Sequence, residues 1–246
     1  MIRVVSWNVL ADAYLRDEYF PHTPEAVLER GPRRKAVADR LEKLAGVEVL
    51  CLQEVDAQVF AAAQERLKDS TGHHFKKRGK GEGVAIFVRH ALTQEPKFKE
   101  HAFKDLSGHV ALGVSFADIT IVTSHLKWAP DGTAPAEHPG RGQLAEILDT
   151  WPTGIRIVCG DFNAVPTSDV LALARERGLK DAYASMDEAF TCNANGKCKR
   201  IDYILHTADF TASPTALPTI KDDTPLPSEN EPSDHLPIEA RLDRVT

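Results

Sequence analysis

Polar side chains that would be out of place in a hydrophobic core stand at or beside the ends of several apolar, strand-like segments. The set is Asn8, Glu54, His125, Asp161, Asn163, Asp202, Asp234 and His235. Loops that a rigid sheet holds at its strand ends are where catalytic groups tend to lie. We therefore expect these residues to converge in one pocket that contains carboxylates, amides and imidazoles.

The residue types in this set indicate which chemistry such a pocket performs. Carboxylate and amide oxygens suit Mg²⁺ or Mn²⁺ and do not suit zinc or copper. A hard cation in an open oxygen site mainly serves phosphate esters, because it neutralises phosphoryl oxygens and stabilises the leaving oxygen. A carboxylate can activate water, and a histidine can stabilise charge on the phosphate. The chain has no G-x-S-x-G motif and no cysteine with a plausible catalytic partner. Metal-dependent hydrolysis of a phosphate ester is the favoured hypothesis.

Each residue of the set also has an ordinary structural explanation. Glu54 is explained as a salt-bridged strand end, and His125 as a hydrogen-bonded core histidine. The segment 161–163 has good turn chemistry. Asn8 is explained as the end of a strand and Asp234 as a turn residue. All of these explanations have to hold at once for the pocket to be absent, and this favours the pocket.

Hydrophobic periodicity predicts more strands than helices. The predicted strands are 2–9, 47–55, 83–89, 109–116, 118–126, 155–160, 201–205 and 236–242, and the predicted helices are 33–45, 57–68, 141–150 and 168–177. The segments 73–83 and 213–233 are predicted to be loops. Many strands follow one another without a helix between them, so the pattern predicts mixed or antiparallel sheets with helices outside.

Length and composition are typical of a soluble globular protein. The 246 residues carry a net charge of −6, so a polyanion would have to meet a local basic patch. We find no membrane-length apolar stretch and no secretory signal, and we expect a cytoplasmic protein with one catalytic domain over 1–246 that acts as a monomer. Cys51 and Cys159 lie in apolar segments, whereas Cys192 and Cys198 lie in a polar loop and have no usual zinc spacing. A structural disulfide or a bound metal at the latter two is left open as an alternative.

Six motifs, distributed from one end of the chain to the other, resemble those of the endonuclease/exonuclease/phosphatase superfamily related to deoxyribonuclease I. They are SWNVL (6–10), LQEVD (52–56), TSHLKW (123–128), GDFNAVP (160–166), RIDYIL (200–205) and SDHLPI (233–238). Within the superfamily, the N-terminal segment and the HLKW motif are similar to the branch of deadenylases, nocturnin, Angel proteins and 2′,5′-phosphodiesterase. The resemblance implies a four-layer α/β sandwich with two mixed sheets face to face.

The resemblance also implies roles for the residues nearest a Mg²⁺ or Mn²⁺ ion. Glu54 corresponds to the metal-binding glutamate, and Asn8 to the amide near the metal. Asp161 corresponds to the aspartate that activates or orients the attacking water. Asp234 corresponds to the carboxylate that supports either the adjacent histidine or the metal.

The remaining motif positions correspond to residues that contact phosphate. His235 matches the histidine that stabilises the transition state, Asn163 the phosphate-binding asparagine, and His125 the phosphate-contacting histidine. Asp202 matches an aspartate that shapes the site and assists the leaving group.

Substrate contacts are expected at Lys127, Trp128, Pro130 and Arg200, with the basic segment 73–80 beside them. Trp128 has two open explanations, a stacking platform or a packed aromatic at a strand end. Basic side chains of this kind hold nucleic-acid phosphates, although a solvated loop is an equally ordinary explanation for 73–80.

One departure from the branch bears on the substrate. Poly(A)-specific members stack adenine between an aromatic residue and a proline. Pro130 is present, but the expected aromatic position falls in 195–198, which has no ring, and Phe190 is the nearest candidate. Strict poly(A) preference is therefore not expected.

These observations predict a Mg²⁺- or Mn²⁺-dependent phosphodiesterase that acts on RNA 3′ ends or on nucleotides. A phosphatase that removes a 2′-, 3′- or 2′,3′-cyclic phosphate is the alternative. A DNA repair endonuclease is less favoured, as is a non-catalytic module that binds RNA or protein, because no residue of the cluster is missing.

Overall fold

The computed structural model describes residues 1–130, 133–134, 137–152, 154–186 and 189–245, and two six-stranded sheets dominate it. The strands are β1 (Ile2–Asn8), β2 (Val49–Asp56), β3 (Ser70–Lys76), β4 (Glu82–Arg89), β5 (Lys97–Ala102), β6 (Val110–Phe116), β7 (Ile119–His125), β8 (Ile155–Asp161), β9 (Lys180–Asp181), β10 (Cys192–Ala194), β11 (Lys197–Lys199), β12 (Asp202–His206), β13 (Phe210–Pro214) and β14 (Ile238–Arg244). The strands β10 and β11 form a separate hairpin.

Both large sheets are mixed. Sheet A has the order β13-β14-β1-β2-β4-β3, and sheet B has the order β5-β6-β7-β8-β12-β9. The pairs β1–β2 and β7–β8 are parallel, and the other pairs are antiparallel. Parallel neighbours end at the same edge of a sheet, so each sheet brings the carboxyl ends of two central strands together.

Helices cover the outer faces of the two sheets. They are α1 (Glu25–Leu28), α2 (Arg30–Lys43), α3 (Ala57–Arg66), α4 (Pro139–Thr150) and α5 (Asp169–Glu176). Apolar side chains of α2 and α3 pack on sheet A, and those of α4 and α5 pack on sheet B. The predicted four-layer α/β sandwich is confirmed. No helix among the described residues is long and apolar enough to cross a lipid bilayer.

The central strands are apolar on both faces because both faces are covered. In β8, Ile155, Ile157 and Cys159 face the core between the sheets, whereas Val158 faces the helices. This explains why the central strands appear in the sequence as nearly continuous apolar runs rather than as an alternation. It also explains why a polar residue at the end of such a run is conspicuous.

The prediction of a loop over 73–83 was wrong. Residues Ser70–Lys76 form β3, an edge strand of sheet A, and a short turn leads from it into β4. The strands β5 and β13 were also missed, and β13 takes the first residues of the predicted loop 213–233. All three are edge strands with largely polar or half-exposed side chains, so their sequences lack the apolar pattern that identifies a strand.

Candidate active site

Four of the predicted site residues lie at strand termini on one edge of the sandwich. Asn8 ends β1, His125 ends β7, Asp161 ends β8 and Asp202 begins β12. In the sheet registers His125 lies beside Asp161, and Asp161 lies beside Asp202. The parallel pairs β1–β2 and β7–β8 thus present their carboxyl ends to the same cleft.

Glu54 reaches this cleft through an irregularity in β2. The β2–β4 register shifts between Gln53 and Val55, and Glu54 has a φ of 58°. A non-glycine residue in this left-handed region costs about 1–2 kcal/mol. Two hydrogen bonds hold the carboxylate: the backbone N–H of Ala11 donates to Oε2 at 2.8 Å, and the amide of Asn8 donates to Oε1 at 3.0 Å. The bulge therefore aims a carboxylate into the site instead of into the sheet.

Asn8 holds two carboxylates and does not present its own oxygen to them. Its Nδ2 donates to Glu54 Oε1 and to Asp161 Oδ2, each at 3.0 Å, while its Oδ1 accepts from the backbone N–H of Leu10 at 3.0 Å. The Leu10 contact sets the direction of the amide, because a reversed amide would put two N–H groups against each other. The amide that was expected near the metal is thus oriented as a hydrogen-bond donor to Glu54 and Asp161.

Asn163 lies directly after β8, in a turn that Asp161 stabilises. The backbone N–H of Asn163 donates to Asp161 Oδ1 at 2.9 Å, and Asn163 has a φ of 50°, which asparagine tolerates. Its Nδ2 lies 2.9 Å from His125 Nε2 and donates to the carbonyl of Leu126 at 3.0 Å. Just before this turn, a Cβ on Gly160 would come within 1.9 Å of the Ser124 carbonyl oxygen, so only glycine fits there.

His235 and Asp202 form a buried pair. Nδ1 of His235 lies 2.9 Å and 3.1 Å from the two carboxylate oxygens of Asp202, and its Nε2 lies 3.6 Å from Asp161 Oδ2. Burial favours neutral His235, but the carboxylates of Asp202, Asp234 and Asp161 outweigh it and raise the pKa of His235 well above its usual range. His235 is therefore an imidazolium whose Nε2–H points at Asp161 and the cleft.

Lys77 is the site residue that the sequence analysis failed to single out. It lies in the turn after β3, its side chain is 2% exposed, and its Nζ is 3.0 Å from Glu82 Oε1 and 3.2 Å from His125 Nδ1. Tyr14 donates to the same oxygen of Glu82 at 3.2 Å. The signal was weak, because Lys77 stands among exposed basic residues and nothing in its spacing distinguishes it from them.

His125 lies between two hydrogen-bond donors. Burial and the nearby Lys77 hold the pKa of His125 well below its usual range, so the ring is neutral. A neutral imidazole has one N–H and one lone pair, so it accepts from Lys77 Nζ or from Asn163 Nδ2 but not from both. The cluster of Lys77, His125 and Asn163 therefore lacks one hydrogen-bond acceptor. An anionic oxygen bound in the cleft would provide this acceptor.

Three buried carboxylates of the site resist ionisation. Burial and the neighbouring Asp234 raise the pKa of Glu54 to about 7, and burial raises the pKa of Asp161 to about 6. Burial also raises the pKa of Asp234. A bound cation would relieve the repulsion between Glu54 and Asp234.

The donor set fits a hard divalent cation. The site contains more buried carboxylates than the two positive charges of Lys77 and His235 balance. The five carboxylates belong to Glu54, Glu82, Asp161, Asp202 and Asp234. Donor atoms of Asp161, Asp202 and His235 also lie within 4.8 Å of one another. Because His235 Nδ1 faces Asp202 and the ring is protonated, Glu54, Asp234 and Asp161 are the better candidates for holding Mg²⁺ or Mn²⁺.

The cleft has a volume of about 810 Å³, and three of the four expected substrate-binding residues line it: Lys127, Trp128 and Pro130. Trp128 is 57% exposed, so it is not a packed strand-end aromatic. The assignment of Arg200 is corrected. Its guanidinium pairs with Asp181 and donates to the Tyr183 carbonyl, in a separate depression on the far side of the 163–168 loop.

The β10–β11 hairpin forms another wall of the cleft. Asn195 and Lys197 line it at the expected aromatic position, so no ring faces the substrate from this hairpin, and Phe190 is not among the lining residues. The register sets Cys192 opposite Lys199 and Cys198 opposite Asn193, and both thiols are free.

The pattern of the Endonuclease/Exonuclease/phosphatase family matches residues 5–235, and the chain belongs to this family. Members of the family are hydrolases that act on phosphoester bonds, and the resemblance inferred from the six motifs is confirmed.

The curated relatives lie in the branch that includes nocturnin and 2′,5′-phosphodiesterase, and the solved structures share the fold. The chain is 26% identical over 191 residues to a "probable RNA exonuclease" of Schizosaccharomyces pombe, covering 67% of this chain and 37% of that protein. It is 27% identical over 239 residues to human 2′,5′-phosphodiesterase 12, covering 78% of this chain and 39% of that protein. The chain thus spans well under half the length of these two relatives. The structure of ANGEL2 superposes with a TM-score of 0.80 at 21% identity, covering 98% and 95% of the two chains, and so shares the fold.

Proposed function

We propose that this protein is a Mg²⁺- or Mn²⁺-dependent phosphoesterase that acts on RNA 3′ ends or on nucleotides, with phosphodiester hydrolysis as the main reaction. The observation that carries the proposal is the meeting of Asp161, Asn163, His125 and the Asp202–His235 pair at one strand edge, opposite Glu54. The names of the two curated relatives, an RNA exonuclease and a 2′,5′-phosphodiesterase, support an RNA or nucleotide substrate.

Glu54 and Asp234, together with Asp161, are the residues that would hold the cation. When bound, the cation neutralises the phosphoryl oxygens and stabilises the leaving oxygen. Asn8 keeps Glu54 and Asp161 in fixed positions by donating to both. This fixed geometry favours the reaction, because carboxylates that are already oriented need no rearrangement when the substrate binds.

Asp161 is proposed to orient the attacking water and to accept its proton at Oδ2. Asn8 supplies a hydrogen bond to this oxygen, and the imidazolium Nε2–H of His235 lies 3.6 Å away. A carboxyl with a pKa of about 6 is ionised at neutral pH and remains a better proton acceptor than an ordinary aspartate.

His235 is proposed to stabilise the negative charge that develops on the phosphoryl oxygens. Asp202 fixes the ring orientation through Nδ1 and keeps the ring protonated, so Nε2–H is available as a charged donor. Asp202 thus acts through His235, and this replaces the expectation that it assists the leaving group directly.

Asn163, His125 and Lys77 are proposed to bind the non-bridging oxygens. The contacts of His125 support this, because the neutral ring accepts from only one of Lys77 and Asn163. The N–H that the ring does not accept is then available to a phosphoryl oxygen. Charge-assisted hydrogen bonds of this kind are short and strong in a site shielded from water.

Lys127, Trp128 and Pro130 are proposed to contact the nucleotide next to the cut bond. The exposed indole of Trp128 offers a face on which a base can stack, and Lys127 offers a charge to the backbone. Neither contact selects adenine over other bases.

Phosphatase activity on a terminal 2′-, 3′- or 2′,3′-cyclic phosphate is the second candidate. The absence of a ring on the cleft side of the β10–β11 hairpin favours it, because a second stacked base is not held there. ANGEL2, which shares the fold, is itself described as a 2′,3′-cyclic phosphatase with a bound adenosine-2′,3′-vanadate.

A panel of end-labelled oligonucleotides separates the two candidates. RNA and DNA of one sequence, with 3′-hydroxyl, 3′-phosphate or 2′,3′-cyclic phosphate ends, and poly(A) are incubated with Mg²⁺ or Mn²⁺. A ladder from 3′-hydroxyl RNA supports the exonuclease, and a change of end group without shortening supports the phosphatase. Cleavage inside DNA would support a repair endonuclease. Failure of all substrates, small nucleotides included, would contradict the proposal and favour a non-catalytic binding module.

Three further properties remain part of the proposal. We propose that residues 1–246 act as one catalytic domain, as a monomer and in the cytoplasm. Gel filtration with light scattering and fractionation of cells test the last two.

A further inference from the structure

Arg33 is a fully buried charged side chain outside the proposed catalytic group. It lies near the start of α2, and its side chain has a relative exposure of 0%. A buried guanidinium is costly unless its donors are satisfied, so its contacts indicate what it does for the fold.

The contacts of Arg33 join two segments that are far apart in the sequence. Its Nη1 donates to the carbonyls of Val9 and Pro232, each at 3.1 Å. Val9 directly follows Asn8, and Pro232 precedes Asp234 by two residues. One planar group thus holds the backbone beside a residue that orients the carboxylates and the backbone beside a proposed cation ligand.

The β-sheet does not make this connection by itself. The β1–β14 register ends with Ser6 opposite Ile238, before Asn8 and His235 are reached. Beyond this point Ser233 adds a second link, because its Oγ donates to the Asn8 carbonyl at 2.7 Å and accepts from the backbone N–H of His235 at 3.1 Å. Beyond the end of the strand pairing, side-chain hydrogen bonds therefore join the two segments.

Asp12 fixes the orientation of the Arg33 guanidinium. Arg33 Nη2 donates to Asp12 Oδ1 at 2.5 Å, and Asp12 lies in the same post-β1 segment as Val9. A planar guanidinium with three acceptors in set directions cannot be replaced by the point charge of a lysine without loss of some contacts.

We propose that Arg33 is a positioning residue that holds the Asn8 segment against the Asp234–His235 segment. It thereby sets the distance between Glu54, which Asn8 orients, and the Asp234–His235 segment. The consequence for the reaction rests on the proposed function, whereas the consequence for the two segments does not.

Arg34 provides a matched control. Its Nη2 pairs with the other oxygen of the same aspartate, Asp12 Oδ2, at 2.5 Å, and its side chain is 37% exposed. The donors to the Val9 and Pro232 carbonyls belong to Arg33 and not to Arg34. R34M therefore removes the same charge from the same aspartate and leaves the link between the two segments in place.

The test compares R33M, R33K and R34M with the wild type. We expect R33M to weaken Mg²⁺ binding by about 10- to 100-fold in calorimetry, as loss of a group that orients metal ligands does. Because a displacement of about 1 Å costs about 100-fold in rate, kcat is expected to fall by that order while the substrate KM changes little. R33K should lie between R33M and the wild type, and R34M should match the wild type.

Two further measurements separate positioning from a general loss of stability. Hydrogen exchange should rise in residues 9–12 and 230–236 of R33M, and not in those of R34M. Added guanidinium should restore part of the turnover of R33A, because it refills the vacated position. A folded R33M with the exchange, Mg²⁺ affinity and turnover of R34M would overturn the proposal. If R33M does not fold, R33K decides: wild-type exchange and turnover in R33K would overturn the proposal.

A failure of the proposed function gives a different result. In that case the wild type itself hydrolyses no substrate, while the exchange comparison of R33M with R34M still tests the link between the two segments.

Discussion

The two sheets contribute chemically different halves to one site. The sheet A half, with Glu54 from β2 and Asp234 before β14, sets two buried carboxylates against each other. The carboxylates of the sheet B half already have partners, because Asp202 pairs with His235, which precedes β14 of the other sheet, and the turn after β8 donates to Asp161. One half requires a cation from solution, and the other presents donors to an anion. A phosphate ester that binds together with a divalent cation would satisfy both.

Backbone strain accompanies one residue in each half of the site. Glu54 and Asn163 both have a positive φ, and both stand where an element must leave its sheet to face the cleft. Strained residues of this kind cluster at functional sites when the surrounding structure compensates for the cost. In each case a hydrogen bond to the site, from Ala11 N–H to Glu54 or from Asn163 N–H to Asp161, compensates for the strain.

The largest expected effect falls on the sheet B half. We expect D161A and H235A each to lower kcat by about 10³-fold, the order found when a catalytic base or a transition-state donor is removed. D202N should lower kcat less, because it acts through the orientation and charge of His235. Steady-state kinetics check this order, with circular dichroism to verify folding. Near-wild-type turnover in either alanine variant would contradict the assigned roles.

E54Q tests the sheet A half. Removing one carboxylate charge should raise the Mg²⁺ concentration needed for half-maximal rate by about 10- to 100-fold, the range for losses in a metal-binding shell. Phosphate-analogue binding by the sheet B half should change little at saturating Mg²⁺. The matched variant is E48Q, whose carboxylate lies at the far end of β2 and pairs with Arg3. An equal effect of both variants would remove the distinction between the halves.

The raised pKa of Glu54 makes a prediction about stability in metal-free buffer. A carboxyl whose folded pKa is about 7 stays protonated in the folded protein while the unfolded chain ionises, so stability falls as pH rises from about 5 to 8. The shift corresponds to about 3 kcal/mol at the upper end of this range. E54Q should therefore be more stable than the wild type at pH 8 with chelator, and the gain should vanish near pH 5. Urea unfolding at both pH values measures this gain in stability. A gain that does not depend on pH would contradict the prediction.

Lys77 should matter more than the exposed lysines of the same cleft. K77M removes a buried donor and leaves Glu82 unpaired, which costs about 3–5 kcal/mol of stability. K77M/E82Q should recover much of that stability and still turn over about tenfold slower, since one charge-assisted hydrogen bond to the phosphate is absent. K80M, on the exposed part of the same turn, is the control. Full activity in the stable double variant would remove Lys77 from the site.

Trp128 should have the smallest effect. Stacking on an exposed aromatic contributes about 1–3 kcal/mol per base, so W128A should raise KM for oligonucleotides by about tenfold and leave kcat nearly unchanged. A minimal aryl phosphate substrate, which has no base, should show no change. An equal KM increase for both substrates would indicate that Trp128 supports the fold of the cleft instead.

The polar residues at strand ends were predictable from the sequence because the strands that carry them are buried on both faces. Asp161 after IRIVCG and Glu54 after VLCLQ interrupt apolar runs, and the structure brings both to one edge. The edge strand β3 was not predictable, because its half-exposed side chains have no apolar alternation. Lys77 follows β3 and was missed as a buried residue for the same reason.

The orientation of side chains was the second feature that the sequence could not predict. Asn8 was expected near the metal, but the direction of its amide was not predictable: the hydrogen bond from Leu10 N–H to its oxygen turns the amide nitrogen toward the carboxylates. Arg200 stands two residues before Asp202, yet it lies ahead of β12 in a connecting segment, and its guanidinium pairs with Asp181 outside the cleft. Spacing along the chain brings a residue near the site and does not decide which way its side chain turns.

Calorimetric titration of the metal-free protein with Mg²⁺ and Mn²⁺ tests the division into halves most directly, when the wild type is compared with E54Q and D202N. We predict saturable binding that is lost or greatly weakened in E54Q and nearly unchanged in D202N, because Asp202 already has His235 as its counter-charge. Binding that survives E54Q and disappears in D202N would place the cation on the sheet B half and contradict the account.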